Sequence, residues 1–143
     1  MADIDPGMLK RVTVFSSLTP DQLEKLAAAA TLTEHAEGEE IASEGTVGRR
    51  FHLLLDGGAV VERGRERVAT VRAGEFVGEV ALLGGGKSTA TVRCTAPTRC
   101  LTIEREPFWA LLEEEPAIAL RILEIVCRRL ELQALPATAN LSG

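Results

Sequence analysis

The stretch Gly74-Glu75-Phe76-Val77-Gly78-Glu79-Val80-Ala81-Leu82-Leu83-Gly84-Gly85-Gly86-Lys87-Ser88-Thr89-Ala90-Thr91-Val92 decides how the rest of the chain is read. It has two competing readings. In the first, Ala81-x-x-x-x-Gly86-Lys87-Ser88 is a relaxed phosphate loop with Ala for the first Gly, and Asp56, closing the run from Phe51, imitates an acidic strand end beside Mg²⁺. Such a loop must follow a buried strand and open a helix, whose free N–H groups then meet phosphate. Here Ser88 is followed by β-branched residues and then Pro97, the acid precedes the motif, and the parallel α/β alternation is missing. In the second reading a strand ends at the tight turn Gly78-Glu79 and a short helical turn, Val80 to Leu83, follows. The N–H groups opening that turn can hold a phosphate, and Glu79 can accept hydrogen bonds from sugar hydroxyls. The glycine loop closes the backbone around the ligand, and a strand resumes at Thr89.

Working outward, residues 31–106 read as strands. Short apolar or β-branched runs alternate with glycine turns: Glu40-Ile41-Ala42, Phe51 to Leu55, Ala59 to Glu62, Arg67 to Val71, Thr89 to Cys94 and Arg99 to Glu104. Turn signals at roughly 8–12-residue spacing predict an antiparallel sandwich or barrel. Arg63-Gly64-Arg65-Glu66 reads as a hairpin tip and Ala96-Pro97-Thr98 as another turn. The expected class is mainly β with flanking helices (α+β): an antiparallel β-roll, or jelly roll.

Helices flank this region. Residues 1–30 form the N-terminal helical part. Thr19 caps a helix with Pro20 at its first position, and Leu23, Leu26, Ala27 and Ala30 recur at helical spacing. Met8 to Phe15 reads as a shorter helix or turn. Residues 107–135 form two C-terminal helices, one opened by Glu106-Pro107 with Phe108, Leu111 and Leu112 on one face, the other running from Pro116 to about Gln133. The longer helix carries two apolar stripes. Leu120, Leu123, Cys127, Leu130 and Ala134 make one, and Ile118, Ile122 and Ile125 the other. One can cover the β-roll; the other needs a partner, most simply a second copy of the same helix. Residues 136–143 read as a frayed tail.

Composition bounds the function. The chain has 143 residues, 45% hydrophobic and 3% aromatic, so one domain with an aliphatic core is expected. A net charge of −5 with no basic cluster argues against a nucleic-acid binder and a polybasic membrane patch. No apolar run reaches the roughly 20 residues of a membrane helix, and Met1 to Leu9 lacks the pattern of a signal peptide. Cys94, Cys100 and Cys127 with two histidines give no metal-ligand spacing, which reads as free thiols in a cytoplasmic protein. There are no paired catalytic carboxylates and no histidine-base arrangement, so an enzyme is not expected. His35 and His52 read as turn and strand residues.

The segments together resemble a cyclic nucleotide-binding domain of the cAMP receptor protein-like family, here stand-alone. The resemblance runs through Phe15-x-x-Leu18, Gly38-Glu39-x-Ile41-x-x-Glu44-Gly45, Phe51-x-Leu53-Leu54-Leu55-x-Gly57-x-Ala59-Val60-Val61, the stretch from Gly74 to Leu83, and Pro116 to Leu130. It implies a regulatory module that binds cAMP or cGMP and couples it to the C-terminal helix. It implies that Glu79 binds the ribose 2′-hydroxyl, and that Gly78, Val80, Ala81 and Leu82 belong to the turn that presents backbone to ribose and cyclic phosphate. Thr89, whose hydroxyl favours guanine in some members, and Ala90 complete the cassette. Eight residues after Leu135 are too few for the family's helix-turn-helix, so no direct DNA binding is expected.

One departure stands out. The resemblance places a phosphate-binding arginine nine residues after the cassette glutamate, and this chain has Ser88 there, preceded by Lys87. An arginine forks two bonds to a phosphate, which neither side chain reproduces; a charge-assisted bond contributes roughly 1.5–3 kcal/mol. Arg49 is a second departure, standing where an aspartate is frequent. Three outcomes stay open: Lys87, Ser88 and Thr89 hold a cyclic nucleotide together; another small anion binds; or the domain is a degenerate scaffold that engages a protein partner through the exposed helix stripe.

Overall fold

The computed structural model of the protein describes residues 15–84 and 86–142, with side chains described outside 79–81 and 130–142. The expected turn from Met8 lies outside these residues up to Phe15. Helix α1 spans Pro20–Ala29. Its start is fixed by a capping box: the Thr19 hydroxyl accepts from the Gln22 N–H at 3.2 Å, and the Gln22 side chain accepts from the Thr19 N–H at 2.9 Å.

Eight strands follow: β1 (Thr31–His35), β2 (Glu40–Ala42), β3 (Arg50–Asp56), β4 (Gly58–Arg63), β5 (Glu66–Arg72), β6 (Phe76–Val77), β7 (Thr91–Cys94) and β8 (Thr98–Glu104), with α2 (Glu79–Gly84) between β6 and β7. They form two four-stranded sheets, ordered β1-β8-β3-β6 and β2-β7-β4-β5. Every pairing is antiparallel, the β-roll expected from the turn spacing. The hairpin tip closes as read, with Arg63 opposite Glu66. The Ala96-Pro97 turn passes from one sheet to the other, so Cys94 and Cys100 lie on strands that do not pair with each other; both are buried and free.

Strand β3 explains the layering. Phe51, His52, Leu53 and Leu54 are all buried because both faces of the strand are covered. Phe51 and Leu53 pair with Ile103 and Leu101 of β8 and face the helices. There the Phe51 ring lies 5.2 Å from Phe76 and 4.8 Å from Phe108, within the preferred range for aromatic pairs. Leu54 faces inward, into a second core with Ala59, Val71, Val77, Val92 and Cys100 between the sheets.

After β8 the chain forms α3 (Arg105–Glu114), which buries Phe108, Leu111 and Leu112 as expected, and α4 (Pro116–Ser142). The latter continues beyond the expected end near Gln133. Pro136 opposes this continuation, since it removes one N–H donor and crowds the preceding turn, while the alanines around it favour helix. Ile118 and Ile122 are buried in the helical core, whereas Leu120 and Leu123 are 61% and 55% exposed and Cys127 is exposed. The isoleucine stripe therefore covers the roll, and Leu120, Leu123 and Cys127 of the leucine stripe face outward; the side chains of Leu130 and Ala134 lie outside the described residues. Lys25 of α1 ties the two ends together through Glu115 at 2.7 Å and Glu114 at 3.1 Å. Hydrogen bonds to Glu115 and then Glu114 hold its ammonium above the usual lysine range. Among the described residues no helix is long and apolar enough to cross a membrane.

Candidate nucleotide-binding site

The decisive stretch folds as a strand end, a turn and a short helix. β6 stops at Val77, and Gly78 adopts φ +97°, a conformation that side chains rarely take. A Cβ there would also collide with the Arg50 carbonyl oxygen, so Gly78 lets β6 turn against β3. Helix α2 begins at Glu79, and the Leu82 N–H donates to the Gly78 carbonyl at 3.2 Å. No helix follows Ser88, and Lys87 forms an antiparallel bridge with Val47; the phosphate-loop geometry is absent, as the sequence context requires. The regular strand resumes at Thr91, two residues later than expected.

The glycine loop is held by the β2–β3 loop. The Ser88 N–H donates to the Thr46 carbonyl at 2.7 Å, the Gly45 N–H to the Ser88 carbonyl at 2.9 Å, and the Gly48 N–H to the Gly86 carbonyl at 3.3 Å. Gly78 and Ser88 meet on the wall of a cavity of about 260 Å³, facing Ser43, Thr46, Arg49 and Arg50. Lys87 and Thr89 are exposed, and Ala90 is buried beside them. The side chains of Glu79, Val80 and Ala81 lie outside the described residues. Leu82 is fully buried in the helical core. Its carbonyl accepts from the Trp109 indole at 3.1 Å, so its side chain and backbone are both engaged by protein.

Several neighbours escaped the sequence reading. Arg63, at the end of β4, donates from Nε to the Thr89 carbonyl at 3.3 Å. Arg129 of α4 donates to the Phe76 carbonyl at 2.5 Å, with its guanidinium 4.5 Å from the Phe76 ring centre. With Trp109 this gives two links from the cassette to the C-terminal helices. From exposed Glu39 into the roll, Glu39, His35, Thr33, Thr102 and His52 form a hydrogen-bonded chain, including Thr33–Thr102 at 2.8 Å and Thr102–His52 at 2.9 Å. His35, His52 and Cys100 come within 4.8 Å of one another, a grouping created by strand pairing. Burial, with His35 and Arg50 nearby, lowers the His52 imidazole to about 4, so it is neutral at pH 7. Burial raises the Cys100 thiol to about 12. The hydrogen bond from His35, then that from the Ala36 N–H, lowers the Glu39 carboxyl.

A β-roll in which the two-residue strand β6 opens into a glycine turn, a brief helix and a glycine loop defines the class of the domain. The chain belongs to the cyclic nucleotide-binding domain family, whose model matches residues 32–115. It is 36% identical over 106 residues to a cAMP-dependent protein kinase regulatory subunit of Hypocrea atroviridis, covering 74% of this chain and 23% of that protein. It is 33% identical over 91 residues to a cGMP-dependent protein kinase of Eimeria tenella, covering 64% of this chain and 9% of that protein. The solved structure of cAMP-bound PfPKA-R superposes with a TM-score of 0.77 at 27% identity, covering 90% of this chain and 43% of that one. The chain thus spans about a quarter or less of the two curated relatives described.

Proposed function

We propose that this chain is a non-catalytic regulatory module, a single domain over residues 1–143, that binds cAMP or cGMP in the cassette of residues 78–91. The observation that carries this reading is the cassette's coupling. The helix that follows Gly78 is hydrogen-bonded to Trp109, and the strand before it is gripped by Arg129. A ligand that shifts α2 acts on α3 through Trp109, and one that shifts β6 acts on α4 through Arg129, because a ligand moves an equilibrium by binding its two states unequally. Glu79 receives the ribose hydroxyl, and the backbone around Gly78, Val80 and Ala81 lines the sugar phosphate. Ser88, Thr89 and Ala90 close the other side. The protein works in the cytoplasm. Calorimetric titration with cAMP and cGMP tests the reading: saturable heat supports it, and its absence with both nucleotides refutes it.

The exposed Leu120 and Leu123 on α4 support self-association. A second copy presents the same stripe, and two such faces are self-complementary about a two-fold axis. The alternative, a non-binding scaffold that uses this stripe to hold a protein partner, is favoured by one observation, the serine at position 88.

A further inference from the structure

We infer that Arg49 supplies the cationic phosphate anchor of this pocket, in place of a cassette arginine. This rests on the nucleotide-binding reading above. Arg49 lines the same cavity as Gly78 and Ser88. Its position is fixed, because the loop that carries it is bound to the cassette by the Gly45, Thr46 and Gly48 backbone bonds to Ser88 and Gly86.

The other charged groups on this cavity are already committed. Glu40 pairs with Arg93 at 3.3 Å, and Arg50 pairs with Glu104 at 3.0 Å. His52 is buried and neutral. Among the described residues, Arg49 alone of the cavity's charged side chains has neither an ion pair nor a side-chain hydrogen bond. Lys87, the other cation of the loop, is not on the cavity wall. Arg63 is bonded to the Thr89 carbonyl. An arginine that lines the same small cavity as Ser88 and a glycine turn can offer a planar fork of two bonds to a phosphodiester monoanion. Ser88 is short enough to leave the guanidinium a path to the anion. Arg49 also borders a second cavity, of about 340 Å³, with Glu104 and Glu106 at the start of α3. An anion in the cassette therefore competes with those carboxylates for it.

The test is calorimetric titration of the full chain, Arg49→Ala, Lys87→Ala and Arg49→Ala/Ser88→Arg with cAMP and cGMP, with thermal melting as a folding control. Arg49 is exposed and unpaired, so Arg49→Ala should melt like the native chain. We expect it to weaken nucleotide binding at least tenfold, Lys87→Ala to change it less than threefold, and the double variant to recover most of the loss. A native chain that binds while Arg49→Ala binds equally well overturns the Arg49 assignment alone. Loss in Lys87→Ala with retention in Arg49→Ala transfers the role to Lys87 and also overturns it. A native chain that binds neither nucleotide overturns the underlying reading and this inference with it.

Discussion

The indole N–H of Trp109 donates to the carbonyl oxygen of Leu82 at 3.1 Å, joining α3 to the short helix of the cassette. Leu82 is fully buried against the same helices, so movement of the cassette helix cannot leave Trp109 undisturbed. Trp109 is the sole tryptophan of the chain. Intrinsic fluorescence should therefore change saturably on addition of cyclic nucleotide. Trp109→Phe should lower stability by about 1 kcal/mol, the net contribution of one hydrogen bond, as measured by urea denaturation. Nucleotide binding that leaves the emission unchanged would separate the cassette from α3.

Gly78→Ala should destabilise the fold by roughly 1–3 kcal/mol, the usual range for a residue forced into a sparsely populated backbone region. Its φ is +97°, and the added methyl meets the Arg50 backbone of β3. Urea denaturation reads the loss. An unchanged midpoint would mean that β6 and β3 do not approach so closely.

Protonation of His52 should set part of the acid limit. Its folded value of about 4 lies below the ordinary 6.5. Above pH 6.5 both folded and unfolded chains hold it neutral. As pH falls from 6.5 towards 4, the unfolded chain takes up the proton and the folded chain does not, so stability drops, by up to about 3 kcal/mol. Below 4 this contribution is flat. His52→Gln should show a shallower fall in melting temperature over that window, whatever its stability at pH 7. Parallel curves for the two proteins would contradict the assignment.

Thiol reactivity should divide the cysteines. Cys127 is exposed, whereas Cys94 and Cys100 are buried, and burial raises the pKa of both. The thiolate is the reactive form. A thiol reagent should modify Cys127 in the native protein and the other two only on unfolding. Because Cys127 shares a stripe with Leu120 and Leu123, its reaction should slow as protein concentration rises. Light scattering should then report roughly twice the 15.3 kDa chain mass, and Leu120→Glu/Leu123→Glu should return the monomer. A native monomer at high concentration would refute the self-association.

Local chemistry made much of this fold legible. Thr19 and Pro20 mark the start of α1, the Arg63–Glu66 tip closes its hairpin, and the Phe108, Leu111, Leu112 face is buried as its spacing requires. The turn and short helix after β6 were legible for the same reason, since Gly78 and Glu79 read as a strand end followed by a tight turn. What stayed hidden depends on pairing between distant strands and loops. His35 and His52 meet because β1 and β3 both flank β8, a register that no local period records. Arg49 reaches the wall that holds Ser88 only because two loops bind each other backbone to backbone. Trp109 and Arg129 find the cassette through helix packing, which the amphipathic pattern orients but does not address to a particular carbonyl.

The most direct measurement of the central claim is calorimetric titration of cAMP and cGMP into the native chain and into Ser88→Arg. The account predicts saturable binding by the native chain, tightened several-fold when an arginine replaces Ser88. No heat from either protein with either nucleotide would contradict it and leave the scaffold reading.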